Sequence, residues 1–209
     1  MCWSATADLT AGVCISAIGV ACVARVRRIR DLPLAALPLL LGAHQIVEAV
    51  VWDSGGGEGP ATTAWAVIAM PLLALWVPLA VLLASPPGSR RRLAVPLAAG
   101  VATAAVLSYY LATRAVTADI RGHTIGYAVH LPQPEIVVAG YLLATIGALL
   151  LSADRTVRFL GVLVAVGAVI CAVVWRLEFV STWCAFAALA SVVMLGWAWR
   201  RGEGPRPAV

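Results

Sequence analysis

Ala61-Thr62-Thr63-Ala64-Trp65-Ala66-Val67-Ile68-Ala69-Met70-Pro71-Leu72-Leu73-Ala74-Leu75-Trp76-Val77-Pro78-Leu79-Ala80-Val81-Leu82-Leu83-Ala84 holds no charged residue, with Glu58 before it and Arg90 after it. At 1.5 Å of rise per residue a helix over this stretch is about 36 Å long, against a hydrocarbon core of about 30 Å. Such a run reads as a membrane span, and the rest of the chain agrees. Of the 209 residues, 62% are hydrophobic and 12% charged, whereas a soluble domain is about 45–50% apolar and about 25% charged. A mean hydropathy of +0.93 excludes a disordered chain, a disulfide-stapled secreted domain and an ordinary cytosolic enzyme.

Six further segments share this character, so the spans read as 3–24, 32–52, 61–84, 93–113, 135–152, 159–176 and 182–199. The arginines fix their orientation. Arg25, Arg27, Arg28, Arg30, Arg90, Arg91, Arg92, Arg155, Arg158, Arg200, Arg201 and Arg206 fall on one side; Arg114, Arg121 and Arg176 fall on the other. By the positive-inside rule the N-terminus is outside and the C-terminus cytoplasmic. The net charge of +5 is therefore a topology signal and does not point to nucleic acid. The expectation is an all-α bundle of seven transmembrane helices in the plasma (inner) membrane, one domain over 1–199, with a disordered cytoplasmic tail at 200–209. The first span reads as an uncleaved anchor, because its basic run follows the apolar region and no Ala-x-Ala-like site is evident. Trp3, Trp52, Trp65 and Trp183 fit an outer aromatic belt, and Trp197 and Trp199 an inner one. Gly140, Ala144, Gly147 and Ala148 give the fifth span a face for close packing.

Ionisable groups inside a bilayer are costly enough to need a partner or a purpose. Asp8 lies in the first span and Glu48 in the second. His44 precedes Glu48 by one helical turn on the same face, with Trp52 a turn further out and Gln45 alongside. Cys2 opens the first span, while Trp183 and Cys184 open the seventh. Arg176 and Glu178 occupy the connection before it, and His123, His130 and Glu135 the external segment 114–134. The cytoplasmic halves offer no ionisable residue that can be placed, so the polar chemistry is expected to be one-sided, which argues against a channel or pump.

Imidazole and carboxylate suit zinc or another transition metal, so His44 and Glu48 are candidate metal ligands, with Cys2, Cys184 or Asp8 to complete the set. Glu48 and Asp8 are the candidate catalytic carboxylates. The competing reading is a hydrogen-bonded pair that fixes helix packing. Cys2 and Cys184 could equally form a disulfide, and Cys14, Cys22 and Cys171 read as small packing residues. Glu135 reads as a helix N-terminal acid, and Gly55-Gly56-Gly57 as a flexible turn. No lysine is present, so a retinal Schiff base is excluded.

Met1-Cys2-Trp3-Ser4-Ala5-Thr6-Ala7, the Leu37–Glu48 stretch with its His44-Gln45-Ile46-Val47-Glu48 core, and Trp183-Cys184-Ala185-Phe186-Ala187 resemble an uncharacterised family of bacterial polytopic membrane proteins. That family begins Met-Cys-Phe-Ser-Ala-Thr-Ala, and this chain has Trp3 where the family usually has Phe. The resemblance implies a shared fold and no reaction. The residues themselves lead to a metal-dependent membrane enzyme, hydrolase-like, acting on a lipid or small amphiphile. The alternatives are a ligand-binding receptor, sensor or transporter subunit using the same pocket, or a structural partner protein.

Overall fold

The computed structural model describes residues 4–129, 131–174 and 179–203, with the side chains of 171–174 and 179–185 outside that description. The chain is mostly helical. Helix α1 (Ala5–Arg25) starts at Ser4, whose hydroxyl accepts from the Ala7 N–H at 3.2 Å and so satisfies an N-terminal donor that the helix itself cannot. Helix α2 (Ile29–Asp53) opens on a tight turn at Ile29–Asp31 and is interrupted at Ala36. Pro33 and Pro38 each stand in the first turn of a helical stretch, where the missing N–H costs nothing. Helix α3 (Pro60–Ala84) widens to a π turn at Ile68–Leu72 because Pro71 cannot donate to the helix ladder. Helix α4 (Pro87–Thr113) begins with a 3-10 stretch at Pro87–Leu93.

Strands β1 (Thr117–Arg121) and β2 (Thr124–Ala128) follow as an antiparallel hairpin in which Thr117 faces Ala128 and Arg121 faces Thr124. The turn is made possible by Gly122, at φ +61°. Helix α5 (Pro134–Leu150) carries a second π turn at Leu143–Gly147, and α6 (Arg155–Val174) and α7 (Phe179–Glu203) complete the described chain.

Helices α1 to α4 are each long and apolar enough to cross a membrane, and α5 is apolar but shorter. Their outward faces agree: Val13, Val20, Val95, Phe159 and Val169 are all more than half exposed. Surface of that kind is stable against lipid and a liability in water. These features point to a membrane protein.

Helices α1 and α2 pack closely, and glycine is the cause. A methyl group added to Gly19 would lie 2.6 Å from the Leu39 backbone nitrogen, and one on Gly12 would lie 3.0 Å from the Gly42 carbonyl oxygen. Only missing side chains let the two backbones approach so closely. On α5, Ala144 and Ala148 are fully buried and Gly140 faces Thr103, so the small-residue face expected there is used in packing. The main apolar core fills the arginine-rich half, around Leu34, Val81, Leu93, Leu160, Met194 and Trp197.

Several expectations are corrected. Asp31 is buried near that arginine-rich end, and Arg201 binds it at 3.7 Å while also reaching Asp154 at 3.3 Å. The polar chemistry is therefore not one-sided. Arg200 and Arg201 belong to α7, which runs to Glu203 rather than stopping at 199 before a tail; residues 204–209 lie outside the described residues. Segment 114–134, read without internal structure, contains the hairpin. Cys14 is exposed while Cys22 is buried, so only the second is a packing residue.

Candidate functional site

Asp8 and Glu48 lie across the α1–α2 seam and are both fully buried. The glycine contacts at Gly12 and Gly42 hold the two backbones together one turn below them, which brings the carboxyl groups of separate helices within electrostatic range of each other. Trp52, one turn beyond Glu48, donates its indole N–H to Asp8 Oδ2 at 2.9 Å. The expected belt residue is thus a ligand of the acid, because an indole has a single strong donor and seeks an acceptor when half-buried.

His44 and Gln45 stand one turn below Glu48, also buried. The His44 ring leans on Trp65 of α3 with centroids 4.9 Å apart, and Trp65 in turn stacks almost parallel on Tyr127 of β2 at 3.4 Å. Trp65 is 2% exposed, so a second belt expectation is overturned: its apolar rings are covered on both sides. The hairpin reaches this stack because it is anchored to the α2–α3 connection. Gly57 N–H donates to Ala118 at 2.7 Å, and Ala118 N–H returns a bond to Gly57 at 3.1 Å. Gly55, Gly56 and Gly57 all hold φ near +76° to +78°, a region that glycine enters without strain. The segment expected to be a flexible turn is a paired one. Val51, Ala118 and Ile125 close the contact as a small apolar cluster.

The cluster holds unmatched groups of both kinds, acceptor and donor, since the Trp65 indole N–H beside His44 is also buried without a hydrogen-bond partner among the described residues. Asp8 Oδ1, Gln45 Oε1 and His44 Nε2 are buried without a hydrogen-bond partner among the described residues. A buried polar atom left unmatched costs about 1–3 kcal/mol, so the fold maintains an unfavourable arrangement here. Imidazole, carboxylates and an amide carbonyl are groups that can hold a metal ion. Among the described residues, however, no three His, Cys, Asp or Glu side chains come together as a metal-holding group.

The remaining candidates fare differently. Cys2, Trp3, His130, Arg176, Glu178 and the side chains of Cys171, Trp183 and Cys184 lie outside the described residues. His123 is exposed at the hairpin turn, and Glu135 is an exposed acid in the first turn of α5. Sequence reasoning missed Trp65 and Tyr127. Its available signal was the pair of five-residue stretches Thr117–Arg121 and Thr124–Ala128 around Gly122-His123, which has the form of a two-residue hairpin.

No curated protein and no solved structure matches the chain. A family model described as a family of unknown function, DUF6629, matches residues 1–208. With nearly its whole length so matched, the chain belongs to that family.

Proposed function

We propose that the chain is a seven-helix, multi-pass protein of the plasma (inner) membrane, its N-terminus outside, and that its α1–α2 polar core holds a metal ion for hydrolysis of a lipid or small amphiphile. The uneven arginine distribution supports the orientation, and α5, α6 and α7 supply the three spans beyond α1 to α4. One observation carries the site: Asp8 Oδ1 and Gln45 Oε1, both acceptors, and His44 Nε2, an acceptor in the Nδ1–H tautomer, are buried without hydrogen-bond partners among the described residues. A cation satisfies such atoms, where a further acceptor would not. His44 and Glu48 are the ligands drawn from the described residues, and Cys2 or Cys184 completes the set, which leaves Asp8 free. An ion held there would make a bound water easier to deprotonate, so that hydroxide would be the nucleophile, and Asp8 would serve as general base.

An amphiphilic substrate suits the surroundings. An apolar cavity of about 80 Å³ is lined by Leu41 and Leu37, one and two turns below His44 on the same helix, and further by Tyr141 and Phe186. The apolar part of a substrate would lie there with its polar part toward the carboxylates.

The Trp52–Asp8 bond and the glycine seam favour a second reading, in which the same residues only lock α1 to α2. Elemental mass spectrometry on the detergent-purified chain separates the two. The metal reading expects near-stoichiometric zinc, copper or iron, lost in His44→Ala and Glu48→Gln while both variants stay folded. Absence of metal in the native chain after incubation with these ions overturns it. The locking reading expects Glu48→Gln to lower the melting temperature and to change no metal content.

A further inference from the structure

At the opposite end of the molecule from the acid pair, the α1–α2 connection, the α3–α4 connection, the start of α6 and the end of α7 surround a cavity of about 270 Å³. Its polar lining is Arg28, Arg30, Ser85, Ser152, Asp154 and Arg201. The carboxylate oxygens in its wall are already engaged. Asp154 Oδ1 accepts from the backbone N–H of Thr156 at 2.9 Å and of Val157 at 3.4 Å, capping α6, and Arg200 approaches it at 3.8 Å. Its Oδ2 accepts from Trp197 at 3.2 Å and from Arg201 at 3.3 Å. Arg201 is further tied to Asp31, which is buried behind the wall.

Arg28 and Arg30 are different. Both are exposed on the cavity, and no carboxylate stands within ion-pair distance of either among the described residues, although both feel the field of Asp31. Three lining arginines against Asp154 in the wall and Asp31 behind it leave at least one positive charge over. A guanidinium offers a planar fork of donors that matches two phosphate oxygens at once, and Ser85 and Ser152 add hydroxyls.

We infer that this cavity binds a phosphate group, and that its occupant is the phosphodiester of an anionic phospholipid headgroup. Three features support this. A phosphodiester carries the single negative charge that the lining lacks. The cavity is lined by three arginines and lies among the ends of helices whose long apolar runs suit a membrane. Basic pockets between helices at that level are suited to lipid headgroups. The inference is independent of the metal proposed at the other end of α2.

The test uses the full chain in a neutral maltoside detergent, with native mass spectrometry and thermal unfolding as readouts. The probes are dioleoylphosphatidylglycerol, dioleoylglycerol (the same tails without phosphate) and inorganic phosphate. The expected result is an adduct and a raised melting temperature with the phospholipid, and neither with dioleoylglycerol. An Arg28→Gln/Arg30→Gln variant should bind the phospholipid at least tenfold more weakly. Arg91→Gln/Arg92→Gln, which removes two exposed arginines of the same end that do not line the cavity, should bind it as the native chain does. Protection by inorganic phosphate alone, with no gain from the phospholipid, upholds a phosphate site and assigns it to the free anion. Equal binding of the two lipids overturns the inference, as does equal weakening in both double variants. The comparison of lipids on the native chain decides the matter even if a variant does not fold.

Discussion

Gly42 shows how much of this architecture rests on single atoms. A methyl group there would meet Ser16 Oγ and would come within 2.8 Å of the Gly12 carbonyl oxygen. Gly42→Ala should therefore push α1 from α2 and lower stability by about 1–3 kcal/mol, the usual cost of overpacking, read as thermal unfolding in detergent. Gly196 on α7 has open space around it, and Gly196→Ala should leave the transition unchanged or raise it, since glycine weakens a helix interior. Trp52→Phe keeps the ring and deletes the donor to Asp8. It should cost about 1–3 kcal/mol, the range for stripping a partner from a buried acceptor. If its melting curve matches the native one, the bond contributes nothing. Asp8, His44 and Glu48 were legible in the sequence because an ionisable group inside an apolar run is conspicuous. The roles of Trp52 and Trp65 were not. An indole near a span end looks the same whether it floats at the membrane surface or is clamped between His44 and Tyr127, and only the distant hairpin decides which.

Elements divide along the same line. The helices from α1 to α6 were readable to within a few residues from their lack of charge, apart from the early 3-10 start of α4 at Pro87. The π turn at Leu143–Gly147 was not, because no proline or other local signal marks it, whereas Pro71 lies inside the one at Ile68–Leu72. Tyr141 donates its hydroxyl to the Ala69 carbonyl at 2.7 Å, tying one π turn to the helix that carries the other. The hairpin is the least legible element, since its ten strand residues compete with the long apolar runs around them. Its anchorage makes a definite forecast. Replacing 117–128 by a Gly/Ser linker should uncover Trp65 and release the bonds at Gly57. Hydrogen exchange should then rise at the α2–α3 connection and the start of α3, while the arginine-rich half stays protected. Unchanged exchange would show that the hairpin rests on the bundle without holding it.

At the scale of the whole molecule, the arginine-rich end is a cross-brace of chain segments far apart in sequence. Asp31 belongs to the start of α2, Asp154 precedes α6 and Arg201 ends α7. The sequence could not reveal it, because Asp31 and Asp154 look like ordinary loop acids until the helices are assembled. Arg201→Met should strand Asp31 and destabilise the chain by a few kcal/mol, fewer than for a fully buried pair because the arginine is 25% exposed. Adding Asp31→Asn to that variant should return a large part of the loss, which a double-mutant cycle of melting temperatures would measure. Orientation is open to a direct check: in a chain whose native cysteines are replaced by alanine, an impermeant maleimide should label Gly122→Cys on intact cells, and Gly88→Cys only after lysis. The brace also bears on how the protein is made. Asp31 is synthesised long before its guanidinium partner Arg201 leaves the ribosome. A chain cut short before residue 201 therefore lacks the guanidinium that ties Asp31 to Asp154. Such a truncation should leave the arginine-rich end open to protease, which limited proteolysis of the truncated and full chains would show.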